Sequence, residues 1–350
     1  MQRQPVAVPP SGRPVQRDRL SWHQFEAEPT RYDKMPYRQC GGWGLKLPAI
    51  SLGAWETFGS HGGPELARAC IFRAFNLGTT HFDLANNYGN PPGRAEIIVG
   101  RILKEMPRNE IVVSTKAGFL MWPGPYGDGS SRKYLLNSLD ESLQRLGLDY
   151  VDIFYSHRPD PKTPLEETLR ALDQVVRQGK ALYVGLSNYS GAQFREACRL
   201  TRELNLSPVI VAQNSYSMLR RDIEQDLLGA ARETGAGVVA FSVLGQGLLS
   251  TKYQSGIPES SRAARAWEPA RKEKITPALL AKVQQLDGMA QRRGQTLPQM
   301  AIAWTLRQPE VTTALMGISD PDQLEENIKA LEMLTFDPEE LQQIDTILRS

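Results

Sequence analysis

From residue 50 onward, short runs of apolar and β-branched residues alternate with longer stretches whose apolar positions recur at helical spacing. That alternation predicts parallel strands joined by crossover helices. The strand runs fall at 50–53, 80–83, 111–116, 151–157, 181–187, 209–213, 238–242 and 312–317, and eight such units predict a closed (β/α)8 barrel of the α/β class. Helical stretches lie between them at 64–77, 94–103, 132–146, 164–178, 192–204, 222–234 and 298–307, with 321–331 after the last strand. The run Thr163-Pro164-Leu165-Glu166 reads as a capping box with proline at the first helical position. Two further helices, 277–293 and 338–348, exceed the eight crossovers and are expected outside the barrel. Residues 37–39 and 46–48, separated by a glycine-rich turn, predict a hairpin ahead of the first strand that would plug the barrel floor.

Residues 1–34 break this pattern, combining Pro, Arg and Gln with almost no large apolar side chain. They read as a disordered N-terminal arm ahead of a single domain at 35–350. No apolar stretch follows the arginines, and Asp18, Glu26 and Glu28 interrupt the positive charge, so a targeting peptide is not expected. Nor do 18 consecutive apolar residues occur anywhere in the chain, so no membrane-spanning helix and a cytoplasmic location are expected. With 41 basic and 39 acidic residues the formal net charge is +2, which argues against a nucleic-acid or membrane-surface partner and leaves small molecules. Cys40, Cys70 and Cys198 are odd in number and lack CxxC spacing. They fit a reducing compartment and packing roles.

Polar residues cluster where the strand runs end: Asp83, Lys116, His157, Ser187-Asn188, Gln213 and Ser242. One strand-plus-helix unit takes about 30 residues, and the successive gaps of 33, 41, 30, 26 and 29 put these side chains at one level on the C-terminal rim, where barrel active sites lie. A single strand-end polar residue is more often a helix cap than a catalyst; six in register point to a site. Two other patterns carry less. Gly235-Ala236-Gly237-Val238-Val239-Ala240 has a dinucleotide fingerprint's spacing but precedes a strand instead of opening a helix, so it reads as a turn. His81 and Asp83 share a strand face, yet His23 and His61 sit in loops and no cysteine is near. No metal is expected, and His81 reads as a core histidine.

The segments FDLANNY at 82–88, VVSTKAG at 112–118 and DIFYSHRPD at 152–160 resemble the three catalytic blocks of the aldo-keto reductases. SNYS at 187–190 and QNSYS at 213–217 resemble that family's nicotinamide-binding segments. MWPGPYG at 121–127 and SGIPESSR at 255–262 resemble the bacterial L-glyceraldehyde-3-phosphate reductase branch, itself similar to the β subunits of voltage-gated potassium channels. The resemblance implies an oxidoreductase that uses NADPH to reduce small aldehydes such as glyceraldehyde 3-phosphate or methylglyoxal, with Asp83, Tyr88, Lys116 and His157 as catalytic residues. It also implies a homo-oligomer, a tetramer or larger.

Carbonyl reduction needs a hydride at carbon and a proton at oxygen. Tyr88 is the candidate acid. A lysine about 4 Å away can lower a tyrosine pKa by up to roughly 3 units at an effective dielectric near 20, so Lys116 is expected to bring Tyr88 down, with Asp83 keeping Lys116 charged. His157 would donate to the carbonyl oxygen. For the cofactor, the resemblance implies that Asn188 and Gln213 bind the carboxamide and that Tyr216 stacks on the ring. Trp55, Ser187, Ser242, Leu244, Gln246 and Gly247 would make further contacts. It also implies Gly317 and Ser319 at a helix start beside the pyrophosphate. Gln323, Glu326 and Asn327, with Lys252 and Arg262, would lie on the adenosine side. Trp55, Trp122 and Tyr126, with Tyr88 and His157, would line the substrate pocket, and Phe58 would join that aromatic wall. The competing reading is a nucleotide-sensing regulatory protein like the channel subunits. Those, by resemblance, carry Asn where this chain has His157.

Overall fold

The computed structural model describes residues 25–60, 62–259, 264 and 273–349. Eight strands, β3 (Ile50–Gly53), β4 (His81–Asp83), β5 (Val112–Ala117), β6 (Val151–Ser156), β7 (Ala181–Ser187), β8 (Val209–Ser215), β9 (Gly237–Phe241) and β10 (Val311–Met316), close into a barrel. Every neighbouring pair is parallel, and β10 joins β3. The crossovers are α1 (Pro64–Asn76), α2 (Arg94–Leu103), α3 (Arg132–Leu146), α4 (Leu165–Arg177), α5 (Gly191–Glu203), α6 (Leu227–Thr234) and α8 (Leu297–Leu306), with α9 (Pro321–Ile328) after the last strand. The two surplus helices are α7 (Pro277–Arg292) and α10 (Pro338–Arg349). They are tied together by Lys282 donating to the Leu348 carbonyl at 2.9 Å. An open cavity of about 340 Å³ borders them, lined in part by Met289, Arg293, Met333 and Glu340, and contains none of the rim residues named above.

The hairpin of β1 (Tyr37–Gln39) and β2 (Lys46–Pro48) is antiparallel. Its Cys40 and Leu47 are fully buried in an inner cluster with Ile153, Tyr155, Ile210, Val211 and Val239, so it fills the barrel floor as expected. Gly237 permits this close approach: a Cβ there would lie 2.8 Å from the Cys40 Cα and 2.3 Å from the Thr312 hydroxyl. All three cysteines are free and buried. Burial pushes the Cys40 thiol up to about 12, and Cys70 and Cys198 to about 11, which suits packing and disfavours reactivity.

Local chemistry departs from the sequence reading in four places. Pro164 occupies the N-cap of α4 with no side-chain cap, and Thr163 donates instead to Asp160 at 2.7 Å. The expected capping box is absent because Asp160 gathers Ser130 N, Lys162 N and the Thr163 hydroxyl into its own turn. The stretch expected as one helix at 222–234 divides into a 3-10 turn, Asp222–Glu224, and α6, where Glu224 is pinned by Tyr216, Arg221 and Arg307. The stretch 321–331 divides into α9 and a 3-10 turn from Lys329. Finally, the chain is packed from Phe25, not from residue 35: the Phe25 ring stacks on Phe72 at 4.1 Å, Arg31 pairs with Glu110, and Tyr32 donates to Glu110 at 2.6 Å. The remainder of the expected arm, residues 1–24, lies outside the described residues. Among the described residues, no helix is long and apolar enough to cross a membrane.

Candidate active site

Strand register brings the rim residues together. Asp83 stands opposite Ser114, Lys116 opposite Tyr155, and Ser187 opposite Gln213. Past the end of β4 the chain stays pinned to β5, with Leu84 N on the Ser114 carbonyl and Asn86 N on the Lys116 carbonyl. That delivers Tyr88, half-buried, over the lysine. Lys116 is fully buried, and its ammonium donates to Asp83 Oδ2 at 2.6 Å, the Leu84 carbonyl at 2.5 Å and the Tyr88 hydroxyl at 3.4 Å. The three donors of an ammonium thus all have acceptors.

Burial acts to lower the Lys116 pKa, but Asp83 and Tyr88 outweigh it and hold the group above its ordinary value. The expected lowering of Tyr88 does not result. Burial pushes its hydroxyl up, Lys116 pulls it down, Asp83 pushes it up again, and it ends above its ordinary value. The physical reason is burial, which outweighs the pull of Lys116, and the charge of Asp83, 2.6 Å from the ammonium, opposes that pull further.

His157 follows β6 and is buried. Its ring makes edge contacts with Phe119 at 4.6 Å and Tyr88 at 5.9 Å between centroids. Burial, then Lys116 and Arg158, hold it well below the usual histidine pKa, so the imidazole is neutral at physiological pH and carries one N–H. Its Nδ1 is buried without a partner. Arg158 reaches back over Phe119 at 4.7 Å, donating to the Gly118 carbonyl and to Asp128. Trp55, Trp122 and Tyr126 are exposed at 42%, 40% and 59%, whereas Phe58 is 1% exposed and belongs to the core. Met121 N bonds to the Gly127 carbonyl at 2.8 Å, closing the 121–127 loop. Only glycine fits at its end, where a Cβ would lie 2.0 Å from the Trp122 carbonyl oxygen.

The residues expected at the cofactor divide into two groups. Asn188 is exposed at the end of β7 in a left-handed conformation (φ 63°), with Nδ2 on the His157 carbonyl and the Ser187 hydroxyl and its oxygen available to accept. Ser242 and Gly245, Gln246 and Gly247 also have positive φ, which turns the loop containing Leu244 tightly across the rim. Other positions are already engaged. Gln213 is buried and donates to Asp83 Oδ1 at 3.0 Å. Tyr216 is 0% exposed, tilted against Trp304 with its hydroxyl on Glu224, so no ring face is open to a nicotinamide. At the start of α9, Asp320 is the N-cap and accepts from Asp322 N, while Ser319 N and its hydroxyl both donate to Gln323. Gly317 and Glu326 are exposed and Asn327 is buried. Lys252 is exposed, and Arg262 lies outside the described residues.

Sequence reading placed His81 in the core, where its Nδ1 meets Ser51 Oγ and its Nε2 meets Ser114 Oγ, both at 2.9 Å. Ser51 and Ser114 were not singled out. The signal was present in strand periodicity, because Ser114 and Lys116, like His81 and Asp83, are two residues apart and share a face. Burial lowers the His81 pKa from 6.5 to about 4. The unfolded chain therefore binds a proton between those values that the folded one does not, so this stabilisation is complete above pH 6.5 and is lost as pH falls toward 4, amounting to about 3 kcal/mol. Urea midpoints should drop accordingly across that window.

A closed parallel barrel carrying a buried Asp-Lys pair under a tyrosine at its C-terminal mouth is an architecture for acid–base chemistry on a small molecule, and the comparison with known families agrees. The chain belongs to the Aldo/keto reductase family, whose model matches residues 49–349. This makes it an oxidoreductase of a family that generally uses NAD(P)H. Over 326 residues it is 52% identical to an L-glyceraldehyde 3-phosphate reductase of Escherichia coli O157:H7 and 51% identical to that of strain K12, covering 91% of this chain and 94% of each relative. It is also 39% identical over 323 residues, 90% of this chain and 93% of the relative, to a putative voltage-gated potassium channel subunit beta of Schizosaccharomyces pombe.

Proposed function

We propose that the protein is an NADPH-dependent reductase of small aldehydes, glyceraldehyde 3-phosphate foremost, with Tyr88 as general acid. The observation that carries this reading is the Lys116 ammonium held between Asp83 and the Tyr88 hydroxyl. When bound, NADPH supplies the hydride. The chain's own residues manage the oxygen. Tyr88, kept protonated by its raised pKa, donates its proton to the carbonyl oxygen as charge grows there. Lys116 stabilises the tyrosinate left behind, and Asp83 keeps the ammonium aimed. His157, neutral, has one N–H to offer the same oxygen and cannot compete as a proton source near neutral pH. Asn188 and the 242–247 loop would hold the cofactor, and Trp55, Trp122 and Tyr126 would exclude water around the aldehyde. Phosphorylated substrates are favoured by the two Escherichia coli relatives, whose names state that substrate. NADPH consumption across glyceraldehyde 3-phosphate, methylglyoxal and aromatic aldehydes tests the reading, and no turnover with any of them would reject it.

Lys252 and Arg262 are assigned to the 2′-phosphate. Two charge-assisted bonds, discounted for exposure, lead us to expect an NADPH preference over NADH of about a hundredfold. Equal dissociation constants by fluorescence titration would remove that assignment. A nucleotide-sensing role has one observation in its favour, the similarity to the fission-yeast channel subunit, and is separated from the enzyme by the His157 variant discussed below.

A further inference from the structure

We propose that Thr313, Ser51, His81 and Ser114 form a one-way chain of hydrogen-bond dipoles directed at Asp83, making His81 and Ser114 positioning residues for the acid–base group. The proposal deepens the reductase reading and rests on it for its catalytic consequence. All four side chains are 0% exposed and Asp83 is 1% exposed. The contacts run Thr313 Oγ1 to Ser51 Oγ at 2.7 Å, Ser51 Oγ to His81 Nδ1 at 2.9 Å, His81 Nε2 to Ser114 Oγ at 2.9 Å, and Ser114 Oγ to Asp83 Oδ1 at 2.6 Å.

The direction follows from the last link. The Asp83 carboxylate, paired with Lys116, can only accept, so Ser114 donates to it. Its single hydroxyl proton is then spent, and its oxygen must accept from His81 Nε2–H. A neutral imidazole has one N–H, so Nδ1 accepts from Ser51, whose oxygen in turn accepts from Thr313. Burial keeps His81 neutral, with a pKa near 4. A chain of hydroxyl and imidazole dipoles therefore points at one carboxylate oxygen, in a medium where aligned bonds polarise one another.

Gln213 Nε2 also donates to Oδ1 at 3.0 Å, while Lys116 holds Oδ2 at 2.6 Å. Each carboxylate oxygen is thus fixed, and so is the line from Asp83 through Lys116 to Tyr88. The titratable groups facing this centre are Lys116 on β5, Tyr155 on β6, Tyr88 in the turn after β4 and His157 beyond β6. The charge on Asp83 raises Lys116 and Tyr155 and, after burial, also Tyr88, the proton donor. Removing donors from Asp83 concentrates that charge, so Tyr88 becomes a weaker acid and its titration moves to higher pH.

The test combines ¹⁵N-histidine NMR of the whole protein with kinetics of Ser114→Ala and Ser114→Thr. His81, identified by loss of its signals in His81→Gln, should be the Nε2–H tautomer and should not titrate near neutral pH. An Nδ1–H tautomer, or titration near neutrality, overturns the chain without any reference to turnover. Losing one bond to a charged group, Ser114→Ala should lower kcat about tenfold. The KM for NADPH should stay unchanged and the alkaline limb of kcat should move upward, while Ser114→Thr keeps wild-type values. A folded Ser114→Ala protein with wild-type kcat and pH profile, even one with a lower Tm, overturns the positioning role. A wild-type protein inactive on every aldehyde would instead reject the reductase reading, with the histidine signals still deciding the chain.

Discussion

Tyr88→Phe should abolish aldehyde reduction while leaving NADPH affinity within about twofold of wild type. The hydroxyl is the proton source, and loss of a positioned general acid typically costs 10² to 10⁴ in rate. Its only described hydrogen bond is the 3.4 Å contact from Lys116, which keeps its tighter bonds to Asp83 and the Leu84 carbonyl, so the fold should survive. Wild-type pH dependence supplies a second check. Reduction requires the protonated tyrosine, and burial raises its pKa, so kcat should hold through neutral pH and fall only on the alkaline side as the proton is lost. His157, already neutral because its pKa lies well below the usual histidine value, should add no acid limb near neutrality. A limb of decreasing kcat below pH 7 would contradict both assignments.

His157→Asn should lower kcat by about 10² to 10³, roughly 2.7 to 4 kcal/mol, by analogy with deletion of one oxyanion donor. NADPH binding and Tm should change little. The Asn188 contact is to the His157 carbonyl, not its ring, so the backbone that positions Asn188, proposed to hold the cofactor, is retained. If the ring were only packing against Phe119, the substitution would instead lower Tm and leave kcat of the folded protein unaltered. That outcome would remove His157 from the catalytic set and favour the sensor reading. Asp160→Asn is a neighbouring control: it disturbs the turn that holds Ser130 and Thr163 without touching the site.

The barrel was legible because each strand is a short, largely apolar run, and six of the eight reach a polar residue at or just past their ends. The same regularity located Asp83, Lys116, His157 and Asn188, since in a parallel barrel every strand end reaches one rim. What escaped depends on which of several available partners a polar group takes. Thr163 has the spacing of a cap but bonds Asp160. Tyr216 follows a rim strand yet is drawn inward by Glu224 and Trp304. The start of α9 resembles an anion site, but Asp320 takes the amide of Asp322 and Gln323 that of Ser319. Composition does not show the N-terminal contacts, where Phe25 and Arg31 pack on α1 while Arg31 and Tyr32 reach Glu110. The net effect on Tyr88 could not be read from spacing, because it depends first on how deeply the hydroxyl is buried and then on the balance of Lys116 and Asp83 around it.

Hydride transfer to an aldehyde with Tyr88 protonating the oxygen can be followed by incubating the protein with glyceraldehyde 3-phosphate and NADPH deuterated at the transferable position. Mass spectrometry of the product then follows the label. The expected product is an alcohol with one deuterium on the former carbonyl carbon for each NADPH consumed, formed by the wild type and not by Tyr88→Phe. Tight NADPH binding without label transfer to this or any other aldehyde, or equal transfer by Tyr88→Phe, would contradict it.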